Sequence, residues 1–276
     1  MIKKTGYCIL LYLLIITSTY ASSTCSIFIH GYTSNNIDYF GELPRQVLWD
    51  SSKNLEESAP EVAQGILEQM DSCQKDDLIT LRPHSYGAAQ VVYILGLGRR
   101  FQDKYPDHDY VKIYKKTFEV ISYTGAYQGT PLMNLVCSNL VTNYIASKFG
   151  KSCVRSLLTN SLEGPSQYVN SPGIPTYLIY STDRSGYYGT TGTVIAKYKI
   201  TFFDFLFRRT RNQNDNTLPL ASTLGCAKLD VLRYENSNCK KIDSNFFEDY
   251  FHIKDGHHTE FLKDSHFMLM GSINED

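Results

Sequence analysis

Ser85 stands in Pro83-His-Ser-Tyr-Gly87, after the apolar run Leu78-Ile-Thr-Leu81 and before the helix-like stretch Ala88-Ala-Gln-Val-Val-Tyr-Ile-Leu95. A serine hydroxyl attacks an acyl carbonyl only if a base takes its proton. A tight strand-to-helix turn must also lift it clear, and in the pattern G-x-S-x-G small neighbours let the two elements pass closely. Gly87 fills the second glycine position. Pro83 stands in the first, and its bulk and restricted φ depart from the pattern. Acyl chemistry also needs N–H donors aimed at the developing oxyanion. His30-Gly31-Tyr32 follows an apolar run upstream of the serine, so the backbone N–H of Tyr32 is assigned as one donor and that of Tyr86 as the other. His30 and His84 are expected to brace these turns through side-chain hydrogen bonds.

Phe28-Ile-His-Gly31, His84-Ser-Tyr-Gly87 and Thr124-Gly-Ala-Tyr-Gln-Gly-Thr-Pro-Leu132 together resemble the lipase and esterase branch of the α/β-hydrolase superfamily, near the bacterial triacylglycerol lipases. The third segment is similar to the place where a strand of those enzymes ends in a G-T-P-like turn before the lid helices. Asn214-Asp-Asn-Thr-Leu-Pro-Leu220 resembles their acidic loop, written roughly D-G-x-V-P, with Asn216 in place of the frequent glycine. The resemblance runs from residue 26 to about residue 265 and implies a triad in the chain order Ser, Asp, His. It assigns Ser85 as nucleophile and Asp215 as acid, with Asp183, in Tyr180-Ser-Thr-Asp183, as the alternative acid. Gly256-His-His-Thr-Glu-Phe-Leu262 resembles the terminal histidine loop, which makes His258 the base and leaves His257 and His266 as alternatives; His252 also qualifies by order.

These residues need a scaffold that brings distant segments to one edge. Ser26–Ile29, Leu78–Leu81, Phe118–Ser122 and Pro175–Tyr180 read as buried strands. Leu55, Ala59, Val62, Ile66 and Met70, at spacings of three and four, predict an amphipathic helix despite Pro60. Strands separated by helix-length segments imply a mostly parallel sheet with crossover helices, hence one α/β domain of the α/β-hydrolase type over residues 22–276. A lid-like helical insertion is expected at about 132–170. Residues 186–211, with Tyr187-Tyr188 and Phe202-Phe-Asp-Phe-Leu-Phe207, read equally as a cover over the site or as an ordinary crossover helix.

Lys3-Lys4, the apolar run Cys8–Ile16 and Thr19-Tyr-Ala21 read as a cleaved signal peptide over residues 1–21, with an uncleaved anchor as the rival. The expected location is secreted, periplasmic or lumenal. Six cysteines remain, an even number that fits an oxidising compartment, and they allow 15 connectivities. Cys137/Cys153 and Cys226/Cys239 are attractive because each would staple one local loop. Cys25 as a lipidated N-terminus is disfavoured, since no apolar residue precedes it in the usual place and five cysteines would be left.

The chain has 276 residues, 42% hydrophobic and 20% charged, with a net charge of −1. That balance describes a folded protein and gives no field to recruit nucleic acid. With 21 Tyr but a single Trp, it is no tryptophan-rich carbohydrate platform. No ligand set for Ca²⁺ is evident, and the adjacent His257-His258 pair lacks H-E-x-x-H spacing, so neither a metal nor another cofactor is expected. The implied activity is serine hydrolysis of carboxylic esters, with an acyl-ester or lipid substrate and transient contact with a lipid surface. An acyl-thioesterase or acyltransferase would share the chemistry. A catalytically silent lipid-binding module is the reading from another class, favoured by Pro83 and by the imperfect acid loop.

Overall fold

The computed structural model describes residues 24–32, 40–75, 77–127, 129–130, 133, 136–137, 144, 153–158, 174–182 and 249–254. Its strands are β1 (Thr24–Ile29), β2 (Gln46–Val47), β3 (Leu78–Pro83), β4 (Thr117–Tyr123), β5 (Thr176–Thr182) and β6 (Asp249–Lys254). They form one sheet in the order β2-β1-β3-β4-β5-β6, and every neighbouring pair is parallel. Parallel neighbours require crossovers, and the strands of such a sheet are generally covered on both faces. Ile27, Phe28 and Ile29 are accordingly buried in succession, although they point alternately to opposite faces.

The strand order reverses at β1, which has β2 on one side and β3 on the other. The crossovers that leave β1 and β3 therefore diverge and open a crevice beyond the carboxyl ends of these two strands. His30-Gly31-Tyr32 leaves β1 at that edge, and His84-Ser85 leaves β3 at the same edge.

Three helices cover one face: α1 (Leu55–Met70), α2 (Tyr86–Phe101) and α3 (Asp109–Lys116). Helix α1 buries Leu55, Ala59, Val62 and Ile66 of the expected stripe, with Ala63 beside them and Met70 only half-buried at its end, and its interior Pro60 lies on the exposed side. Helix α2 is buried at every position from Tyr86 to Leu95, which explains why it shows no polar stripe in sequence. At Gly98 an added Cβ would lie 2.3 Å from the carbonyl oxygen of Tyr110, so α2 and α3 meet backbone to backbone. The apolar part of the opposite sheet face holds Phe28, Phe40, Ile121, Tyr123, Tyr177 and Ile179.

Strand β3 continues two residues past Leu81, where the expected strand ends. The guanidinium of Arg82 donates to Ser26 Oγ (3.0 Å) on β1 and to Tyr123 OH (2.9 Å) on β4, so a charged residue is satisfied inside the sheet. Strand β2, helix α3 and strand β6 were not anticipated. Met133, Val136, Cys137 and Tyr144 are helical positions within the segment expected to form a lid; the rest of that segment, apart from residues 153–158, lies outside the described residues. Residues 1–21 and 186–211 lie outside them too.

Two disulfides are present among the described residues. Cys137–Cys153 is the expected local staple, with Cα atoms 5.0 Å apart, whereas Cys226/Cys239 lies outside the described residues. The second, Cys25–Cys73, joins β1 to the turn after α1 across 48 residues. Its sulfur partner leaves Cys25 no thiol for a lipid thioether. Closing a loop of that size restricts the unfolded chain by about 4 kcal/mol on the chain-entropy account. Cys73→Ser should therefore lower the melting temperature by roughly 10 °C, and thermal unfolding with and without reductant measures it. An unchanged melting temperature would count against a stabilising bridge.

Candidate active site

Ser85 has φ 53° and ψ −118°, a region that residues with a side chain rarely occupy. Such a conformation costs about 1–3 kcal/mol and persists only where the surroundings fix it. Here they do so from several directions. Ser85 N–H donates to Tyr123 O (3.0 Å) at the end of β4, and Ser85 O accepts from Ala88 N–H (3.1 Å) and Ala126 N–H (3.0 Å). His84 N–H donates to Ile29 O (3.0 Å), and Gly87 N–H to His84 O (2.9 Å). The serine is thus held between β1, β4 and the first turn of α2, with 7% of its surface exposed.

Pro83 does not prevent this turn. It is the last residue of β3, opposite Ile29, and His84 takes up the bond to β1 immediately after it. Proline is tolerable at that point because the strand is ending. Gly87, in contrast, is required by space. A Cβ there would lie 2.5 Å from His30 O and 2.6 Å from Ile29 O, well inside van der Waals contact.

The N–H of Tyr86 opens α2, the positive end of a 16-residue helix, and has no acceptor among the described residues. It is free to meet an anion. Tyr32 is half-buried beyond β1, and His30 orders the turn that carries it. His30 Nδ1 lies 2.7 Å from Gly31 O, and Trp49 N–H reaches His30 Nε2 at 3.4 Å. These partners select the tautomer protonated on Nδ1, which donates to Gly31 O while Nε2 accepts. Gly31 C=O and Tyr32 N–H belong to one planar trans peptide and point in opposite directions. Fixing the carbonyl therefore aims the N–H. Burial pushes the His30 imidazole below its ordinary value, against the opposing effects of its hydrogen bond to Gly31 O and of the Glu61 charge.

Asp215, Asp183, His257, His258 and His266 lie outside the described residues. Asp183 directly follows Thr182, the last residue of β5, whose carboxyl end faces the same edge as Ser85. His252 falls within β6, in register with Tyr180, and so belongs to the sheet. No group of three or more His, Cys, Asp or Glu side chains among the described residues could hold a metal ion.

Two features of the site escaped the sequence. Thr124, at the tip of β4, has φ 42° although it is β-branched, and its buried Oγ1 has no partner among the described residues. Its N–H donates to Ile179 O (2.8 Å), which holds the strained residue against β5. The 3-10 turn Arg155–Leu157 fastens the start of α1: Leu55 N–H donates to Ser156 Oγ (2.8 Å), and Arg155 N–H donates to Asn54 Oδ1 (2.9 Å). The only signal for the second was the position of Cys153 beside it.

Gly87→Ala should separate α2 from β1, costing about 1–3 kcal/mol in stability and more than tenfold in any activity at Ser85. Urea denaturation and turnover measured together check both. The depressed His30 gives a second expectation. Its contribution is fully present above about pH 6.5, the unfolded value, and is lost as pH falls toward the lower folded value, because the unfolded chain then binds the extra proton. Melting curves at pH 7.5 and 5.5 should show a loss on acidification that is smaller in His30→Gln.

No family model matches the chain, and no curated protein matches it. Among solved structures, a lipase from Bacillus licheniformis in its mature form aligns with a TM-score of 0.55 at 14% identity, covering 88% of this chain and 88% of that one. A metagenomic carboxyl esterase gives 0.49 at 15% identity, over 86% of this chain and 65% of its own. A phospholipase from Legionella pneumophila gives 0.47 at 14% identity, over 73% of this chain and 45% of its own. The chain thus spans just under two thirds of the esterase and under half of the phospholipase. The parallel sheet reversing at β1, the positive-φ serine between β3 and α2, and the superposition on the Bacillus lipase together identify the α/β-hydrolase fold in this chain.

Proposed function

We propose that the chain is an exported serine ester hydrolase of the lipase and carboxylesterase kind. The observation that carries this reading is the backbone of Ser85, held at φ 53° beyond the carboxyl end of β3, beside the crevice that the strand reversal opens. A strain of this kind has no structural use in an ordinary strand-to-helix connection, and it projects a hydroxyl beside a helix N-terminus. Pro83, which spoke for a silent lipid-binding module, is accommodated at the end of its strand and no longer argues against catalysis.

In this mechanism Ser85 Oγ attacks the acyl carbonyl while His258 takes its proton, with Asp215 holding the imidazole in the required tautomer. The carbonyl oxygen becomes an oxyanion between the N–H groups of Tyr32 and Tyr86. Collapse expels the alcohol, which receives the proton from His258 and leaves an acyl-enzyme. Water, deprotonated by the same histidine, then releases the acid. His257 and His266 are alternative bases and Asp183 the alternative acid. The substrate is an acyl ester or lipid, and residues 132–170 would supply the cover over the acyl chain. Export through a signal peptide over residues 1–21 accords with the two disulfides, and no helix among the described residues is long and apolar enough to cross a membrane.

Ser85→Ala should abolish hydrolysis of p-nitrophenyl esters, a loss of at least about 10³-fold. The optimum between acetate and palmitate would separate an esterase from a lipase. Equal inertness of wild type and variant, with Ser85 left unlabelled by a fluorophosphonate, would end this reading.

A further inference from the structure

The two donors assigned to the oxyanion sit on separate elements, one beyond β1 and one at the start of α2. Trp49, the only tryptophan of the chain, touches both supports. Its indole stacks on the His30 ring, with centroids 5.2 Å apart and planes 20° from parallel. The Tyr86 ring packs against the same indole at 5.3 Å and 52°. Both N–H groups of Trp49 also go to one residue: the indole Nε1–H donates to His30 O (3.2 Å) and the backbone N–H to His30 Nε2 (3.4 Å). An indole that merely filled space would need neither bond to converge on His30.

His30 in turn fixes the Gly31–Tyr32 peptide through Nδ1. On the other side Tyr86 is anchored by its hydroxyl, which donates to Lys53 O (3.1 Å). Tyr86, His30 and Trp49 are all buried. A side chain clamped between two fixed rings sets the distance between the backbones that carry them, since a close-packed interior transmits such displacements. We infer that Trp49 is a positioning residue that sets the spacing of the Tyr32 and Tyr86 N–H groups, and so the width of the oxyanion site. This rests on the serine-hydrolase reading above.

The test uses the exported protein with its disulfides formed, produced from the whole coding sequence, and the p-nitrophenyl ester it turns over fastest. Trp49→Phe keeps an aromatic ring but removes the indole donor. It should lower kcat about tenfold and leave KM within twofold, because a donor aimed at the oxyanion acts in the transition state rather than in substrate binding. Circular dichroism and melting establish that the variant folds.

The single tryptophan supplies a second readout in the wild type. An uncharged p-nitrophenyl alkylphosphonate reacts at Ser85: the Oγ–P bond forms as the hydroxyl proton passes to the histidine base, the bond from P to the aryl oxygen breaks, p-nitrophenolate leaves, and the phosphoryl oxygen takes the oxyanion position. This labelling should shift or quench Trp49 emission, and Ser85→Ala should abolish the change. Emission that stays constant on complete labelling overturns the inference, as does a folded Trp49→Phe variant with kcat within twofold of wild type. If the variant does not fold, wild-type emission decides alone. A wild type that neither turns over esters nor takes the label overturns the hydrolase reading and this inference with it. An active wild type beside an equally active Trp49→Phe overturns only the role of Trp49.

Discussion

The amino end of α2 lies against the last carbonyls of β1 with no room for a methyl group between them. Most of the described site depends on that contact. Gly87 permits it, and the chain must then turn from β3 into α2 within two residues, His84 and Ser85, which places Ser85 in its positive-φ conformation. The same contact brings the turn that carries Tyr32 next to the helix start that carries Tyr86. Holding a strained serine there costs about 1–3 kcal/mol, and the bonds from Tyr123, Ala88 and Ala126 to its backbone offset that cost.

The central sheet and its first helix were legible because their patterns are local. Helix α1 carries its apolar stripe at the expected spacing, and the strands around Ile27, Ile79 and Val120 are short apolar runs bounded by turn residues. The missed elements lack such signals. Strand β2 is two residues long, and α3 has eight residues that begin after a polar turn. Strand β6 reads Asp-Tyr-Phe-His-Ile-Lys, a mixture that only its pairing with β5 organises. Arg82 falls outside the expected strand because the partners that satisfy its charge, Ser26 and Tyr123, are distant in sequence.

The serine turn was legible from its small neighbours, whereas its supports were not. Nothing near Trp49 in sequence marks it as a partner of His30, since the two are joined only across the β1–β2 register. Thr124 likewise gives no sign in sequence of its positive φ. The disulfide from Cys25 to Cys73 escaped for the same reason: a bridge over 48 residues has no local signature, unlike the 16-residue span from Cys137 to Cys153.

The sheet also implies an order of assembly. Strands β1 to β4, the three helices and every bond that fixes the Ser85 backbone lie within residues 24–126, whereas β5 and β6 come from residues 176–182 and 249–254. A growing chain therefore has the whole serine turn available long before β6 emerges, and β6 can only join an edge already laid down. With the proposed base later still, at His258, a nascent chain would hold a finished nucleophile without the group that activates it. Hydrolytic competence would then wait on the emergence of the segment around His258.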